Sequence, residues 1–158
     1  MMQKAAFLNI GISDDVIFGA GVEVVLPVNM YGCKIGDGCL IGPFSEIQKG
    51  VVIGEKTIVQ SHSFICELVT IGSQCFVGHG VVFINDLFRE GRPAMGDQSK
   101  WKATFIGNHV SIGSNSTILP VNICDHVVIG AGAVVTKDIT EPGTYVGNPA
   151  YLIKNNFY

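Results

Sequence analysis

Asn85 and Asp86 stand side by side at the start of a polar stretch, INDLFREGRPAMGDQSKWKAT, that interrupts an otherwise apolar, glycine-punctuated chain. A carboxamide beside a carboxylate can grip a polar substrate group through hydrogen bonds, or can simply open the stretch as an Asx turn, since both types favour turn initiation. Arg89 and Arg92 follow, and their guanidinium groups suit a pyrophosphate met by paired hydrogen bonds; a solvated loop arginine is the plainer reading. His79 in VGHG and His109 in IGNH are candidate substrate contacts and proton carriers near neutral pH, or else solvated corner residues. His62 and His126 have less in their favour. The five cysteines form no CxxC pair and no cysteine/histidine spacing of a zinc site, so neither a metal nor a disulfide framework is expected.

The elements that must position these residues are set by a repeat of six. From Ile35 an aliphatic or aromatic residue recurs at Ile41, Ile47, Ile53, Val59, Ile65, Ile71, Val77 and Phe83, and a small or β-branched residue falls four places on, at positions such as Cys39, Ser45, Thr57 and Cys75. Glycine follows the aliphatic residue at Gly36, Gly42, Gly54, Gly72 and Gly78. The register returns at Ile106, Ile112 and Ile118, then at Ile123, Ile129 and Val135, and an earlier stretch through Ile12, Phe18, Val24 and Met30 fits more loosely. A helix would space its apolar residues three and four apart, and an exposed strand every two, so neither template fits. A unit of six residues cannot bury its own apolar face; coils must stack and share a core, with Cys39 and Cys75 as small apolar fillers. The five-residue steps from Met30 to Ile35 and from Ile118 to Ile123 predict shortened corners. The long jump from Phe83 to Ile106 predicts an inserted loop over about residues 85–104, with Phe88 and Trp101 available to anchor it against a neighbour.

Length and composition agree with one such domain over residues 1–158, closed by a C-terminal capping tail. With 47% apolar and 15% charged residues the chain is not of disordered type, and a net charge of -3 supplies no field for a nucleic-acid backbone. No apolar run reaches the roughly 18 residues of a membrane span, and the N-terminus lacks the pattern of a signal peptide, so a cytoplasmic protein is expected.

The hexads resemble the hexapeptide-repeat family, in which three units make one coil of a left-handed parallel β-helix; the handedness is implied by the resemblance, since parallel crossovers are otherwise right-handed. The ending VVTKDI, a proline-glycine turn and VGNPA is similar to acetyl-CoA-dependent members. With GHGVVFINDLFREGRP and IGNHVSIGSNSTILP, most of the chain resembles N-acetyltransferases that act on nucleotide-linked 3-amino-3,6-dideoxyhexoses. The resemblance implies a homotrimer whose active sites lie between neighbouring β-helices. It further implies acetyl transfer from acetyl-CoA to the 3-amino group of a dTDP-linked sugar destined for a surface polysaccharide. Asn85 and Asp86 would then hold the amine, and Glu67 could also reach the sugar. Backbone groups around Ala131 and Ala133 would bind pantetheine, with Lys137 on a coenzyme A phosphate or merely solvated. A UDP-linked amino sugar, a sugar hydroxyl served by a histidine base, and a non-catalytic scaffold are the alternatives. The histidine that hydroxyl acetyltransferases carry inside this loop is absent here, which weighs against the second.

Overall fold

The protein is described from a computed structural model over residues 11–155, so the expectation about the first ten residues lies outside the described residues. The described chain winds into a three-sided parallel β-helix, left-handed as the hexapeptide resemblance implied. One face stacks Ile17–Phe18, Lys34–Ile35, Val52–Ile53, Val69–Ile71, Thr104–Ile106 and Asn122–Ile123. The second stacks Glu23–Val24, Leu40–Ile41, Ile58–Val59, Phe76–Val77, Ser111–Ile112 and Val127–Ile129, and is extended by Gly143–Val146 and the antiparallel Tyr151–Asn155. The third stacks Asn29–Met30, Glu46–Ile47, Phe64–Ile65, Val82–Phe83, Thr117–Ile118 and Val134–Val135.

These two- and three-residue strands persist because each coil pairs with the next and the inward side chains share one core. Every aliphatic position from Ile35 to Phe83 is 3% exposed or less, and so are the small positions from Cys39 to Val81. The inward hydroxyls are satisfied by backbone carbonyls: Thr57 Oγ1 donates to Gly72 at 2.9 Å, and Ser63 Oγ to Gly78 at 3.1 Å. At the start of the rod the looser register holds only in part. Met30 is buried, but Ile12 and Phe18 remain 41% and 39% exposed because no earlier described coil packs on them.

Corners supply the second constraint. A left-handed backbone conformation recurs at the corners, borne by Gly38 and Gly80 but also by His62, His109 and His126, with φ near +60°. The glycine after each inward aliphatic residue serves stacking instead. A Cβ on Gly54 would lie 2.6 Å from the backbone of Gly72 and Ser73 in the next coil. Gly54→Ala is therefore expected to cost about 1–3 kcal/mol, as overpacked sites do. Denaturant unfolding of the variant checks this, with the circular dichroism of the β-helix retained; an unchanged midpoint would show that the coils have slack.

All departures from the six-residue register fall on one edge, where the third face passes to the first. The shortened corners Met30 to Ile35 and Ile118 to Ile123 lie there, and so does the insertion, which occupies the residues between the strands Val82–Phe83 and Thr104–Ile106. Phe76 pairs with Ile58 before the insertion and Ser111 after it, so the helix continues in register beneath the loop.

Candidate functional site

The three edges of the prism sort the candidate residues. Glu67, Asn85, Asp86, Arg89, Arg92 and Lys137 fall on the edge between the third and first faces. His79 and Ala131 share the edge between the second and third, two coils apart, with Ala133 just inside it. His109 lies on the remaining edge, its ring stacked on His126 with centroids 4.8 Å apart. Within one chain the loop residues and Glu67 come together, whereas His79, Ala131 and His109 do not join them.

The loop is built around its two entrance residues. The carbonyl of Asn85 accepts the Lys102 N–H at 2.9 Å, pinning the two ends of the loop together. The Asn85 side-chain Nδ2 donates to the Glu67 carbonyl at 3.2 Å, so the carboxamide is fixed to the coil below. Its Oδ1 has no protein partner among the described residues and is free to accept a hydrogen bond from a ligand. Asp86 accepts the Phe88 N–H on Oδ1 at 2.9 Å, an Asx turn, and the N–H of buried Ala94 on Oδ2 at 2.7 Å. Its carboxylate organises the loop, and each oxygen keeps a second lone pair for a further donor.

Glu67 is tied from two sides. Its N–H donates to Gln48 Oε1 at 3.3 Å, and its Oε2 accepts from Gln98 Nε2 at 3.4 Å, on the 3₁₀ turn Gln98–Lys100 of the loop. Burial, then the charges of Glu46 and Glu67, push the nearby Tyr31 hydroxyl above its usual pKa. Beneath the loop a groove of about 330 Å³ opens between Phe64, Glu67, Asn85, Asp86, Phe88 and Trp101.

On its own edge, exposed His79 has Nδ1 2.9 Å from Ser61 Oγ, which orients the ring and leaves Nε2 without a protein partner among the described residues. Further along the edge, Ala131 is exposed and its backbone N–H and carbonyl form no hydrogen bond among the described residues. The Ala133 backbone is occupied, its N–H on Gly130 and its carbonyl accepting from Thr117. Lys137 is exposed. Of the links in the site, the sequence reading missed those from Ser61 to His79, from Gln48 to Glu67 and from Gln98 to Glu67. The first two join residues one coil apart, a spacing the hexads already contained.

No thiol competes for a catalytic role. Cys39 and Cys75 are buried as expected, and so are Cys33 and Cys66; Cys124 is half-buried. Burial pushes the Cys66 thiol up to about 12 and Cys33 to about 11, so neither is ionised near neutral pH. A disulfide-exchanging thiol reagent should therefore titrate at most Cys124 in the native protein and all five cysteines after denaturation. Fast reaction of several native thiols would contradict the packing.

A three-sided parallel β-helix with six-residue punctuation and one loop inserted at an edge defines the hexapeptide-repeat class. A family model described as bacterial transferase hexapeptide (six repeats) matches residues 32–67, and one described as the hexapeptide repeat of succinyl-transferase matches residues 104–137. With the register that runs between and beyond these segments, the chain belongs to the hexapeptide-repeat family. Among curated proteins, the bifunctional protein GlmU of Acidithiobacillus ferrooxidans is 31% identical over 150 residues, covering 84% of this chain; the chain spans only 30% of that relative's length. A mutant of AntD, an N-acyltransferase from Bacillus cereus, in complex with dTDP and coenzyme A, superposes with a TM-score of 0.71 at 21% identity, over 94% of this chain and 82% of AntD. Galactoside acetyltransferase in complex with coenzyme A gives 0.66 at 28% identity, over 77% of this chain and 64% of that one. No helix among the described residues is long and apolar enough to cross a membrane.

Proposed function

We propose that the protein is a cytoplasmic, homotrimeric N-acetyltransferase that moves acetyl from acetyl-CoA to the 3-amino group of a dTDP-linked 3-amino-3,6-dideoxyhexose. The observation that carries this reading is the loop entrance. Asn85 offers a fixed, unpartnered carbonyl oxygen at the mouth of a groove that holds the carboxylates of Glu67 and Asp86 and three aromatic rings. A sugar amine is a good nucleophile once neutral, so the site needs to align it with the thioester more than to supply a strong base. The amine nitrogen forms a bond to the acetyl carbonyl carbon, the carbon–sulfur bond breaks, and the amine proton passes to the departing thiolate, giving the N-acetyl sugar and free coenzyme A.

Coenzyme A is assigned to the edge of His79 and Ala131, where unused backbone groups and an oriented imidazole lie along the coils. Lys137, which lies on the loop edge, is assigned to one of its phosphates from the adjacent copy, across the cleft. His109 is left as a peripheral substrate contact at most, because its edge carries no other candidate. The loop and the coenzyme edge bound the third face from opposite sides, so a cleft between adjacent copies would bring one copy's loop to the next copy's coenzyme edge. AntD bound to dTDP and coenzyme A supports the pairing of these two ligands on one such fold.

The deciding experiment offers acetyl-CoA with a panel of dTDP- and UDP-linked amino sugars and follows thiol release, to which the buried cysteines contribute little background. Release with a dTDP-linked 3-amino-3,6-dideoxy sugar is expected to exceed that with UDP-linked sugars, whose base lacks the thymine methyl, by at least about tenfold, the low end of what one such group discriminates, and that with hydroxyl-only sugars by more. No release with any sugar would replace the enzyme with a scaffold.

A further inference from the structure

The inserted loop has two hollows of opposite character whose linings share Trp101 and Asp86. On its outer side a hollow of about 210 Å³ is lined by Arg89, Arg92, Lys100, Lys102 and Trp101, with Glu90 and Asp86 as its carboxylates. Glu90 pairs with Lys100 at 2.8 Å and more loosely with Arg92 at 3.9 Å, and Asp86 is tied to backbone N–H groups. Lys100 also lies 3.8 Å from Asp97, so the four cations meet three carboxylates and Arg89 and Lys102 are the two left without an ion pair among the described residues, in a chain whose net charge is -3. The groove beneath the loop inverts this: its lining holds Glu67 and Asp86, the rings of Phe64 and Phe88, and no cation. Trp101 and Asp86 belong to both walls.

We infer that Trp101 is the partition of a bipolar substrate site, with the diphosphate and base of a nucleotide sugar in the Arg89–Lys102 hollow and its amino sugar in the Glu67–Asn85 groove. This rests on the proposed acetylation of a nucleotide amino sugar and adds Trp101, Lys100 and Lys102 to the residues that bind it. A dianionic linkage suits the two cations without an ion pair, Arg89 and Lys102, and a guanidinium group suits its oxygens. The flat indole offers a stacking face to a base or a sugar ring. A groove with carboxylates and aromatic rings suits an amine on a sugar that carries a methyl group in place of a hydroxymethyl. The hollow thus selects the diphosphate-linked form over the free sugar, and the groove selects the amine.

Trp101 is the single tryptophan of the chain, so its fluorescence reads this partition without any turnover. The full chain is titrated with dTDP, inorganic pyrophosphate, the free amino sugar and coenzyme A. dTDP is expected to give a saturable change that weakens with salt, with an affinity about tenfold lower in Lys102→Gln or Arg89→Gln, the loss of one charge-assisted hydrogen bond. Both residues are exposed, so the variants should fold; circular dichroism verifies this. Trp101→Ala should raise KM for the nucleotide amino sugar at least about tenfold and leave KM for acetyl-CoA unchanged. Equal dTDP affinity in wild type and both variants would overturn the inference, as would a fluorescence change caused by coenzyme A and not by dTDP. Fluorescence binding of dTDP without thiol release from any sugar would leave the bipolar site standing and remove the acetyl transfer; turnover of free amino sugar without dTDP binding would do the reverse.

Discussion

Asn85→Ala and Asp86→Ala are expected to lower turnover on the nucleotide amino sugar by well over about tenfold, the range seen when a group that positions or stabilises a reacting centre is removed. The two losses should differ in kind. Asn85 is held by its Nδ2 on the Glu67 carbonyl, so its alanine variant removes the free Oδ1 acceptor and one peg of the loop, while the backbone bond from Lys102 to Asn85 survives. Asp86 accepts two backbone N–H groups, from Phe88 and Ala94, and its alanine variant should also loosen the loop. Asp86→Asn separates the roles. A carboxamide can keep only one of those two acceptors, so a purely structural Asp86 would shift Trp101 emission in the unliganded protein and leave the amine dependence of kcat alone. A substrate contact would lower kcat as well, on top of the same emission shift. His79→Ala and His109→Ala should cost less than either loop variant, because an amine nucleophile that is already neutral needs no strong base. Unchanged turnover in both loop variants would remove the pair from the reaction, and a collapse on His79→Ala alone would point to a base-driven reaction on a hydroxyl.

What the sequence made legible is what burial controls. From Ile35 onward each inward position must be apolar or small in every coil, so the six-residue register, the cysteines used as fillers and the two shortened corners can be read directly, and all are found. The loop's limits were read to within a residue, because the register stops at Phe83 and restarts before Ile106. Its interior was not legible: the path of the chain there depends on two backbone bonds to one carboxylate, Asp86, and on Gln98 reaching Glu67, and neither has a periodic signature. The distribution of candidates over edges lay between these cases. Counting three hexads per coil puts Asn85 directly above Glu67 and His79 directly above Ser61, and it puts His79 and Asn85 on different edges. That count was available from the hexads, whereas the types of His79 and Asn85 alone carry no sign of which edge each occupies. Ile12 and Phe18 fail the core pattern for another reason, since they stand at the first described coil and nothing described covers them.

The separation of loop and coenzyme edge leads to the second large effect. Ala131 is exposed on the edge proposed for coenzyme A, so Ala131→Trp is expected to fold normally, block pantetheine and abolish thiol release, while Asp86→Ala should disable the loop of its own copy. If each active site takes its loop from one copy and its coenzyme edge from the next, neither variant is active alone but their mixed trimers are not wholly dead. Half the loops and half the edges remain intact at equal mixing, so random reassembly of a cyclic trimer places an intact loop opposite an intact edge in about a quarter of the clefts. Co-expression of the two variants under separate tags, followed by tandem purification, should thus recover a substantial fraction of wild-type turnover from two chains that individually release almost no thiol. Recovery near zero from verified mixed trimers would mean that the loop serves the edge of its own chain. That would require the substrate to cross the third face, over the outward side chains of Val82, Thr117 and Val134, and would move the reaction out of the cleft between copies.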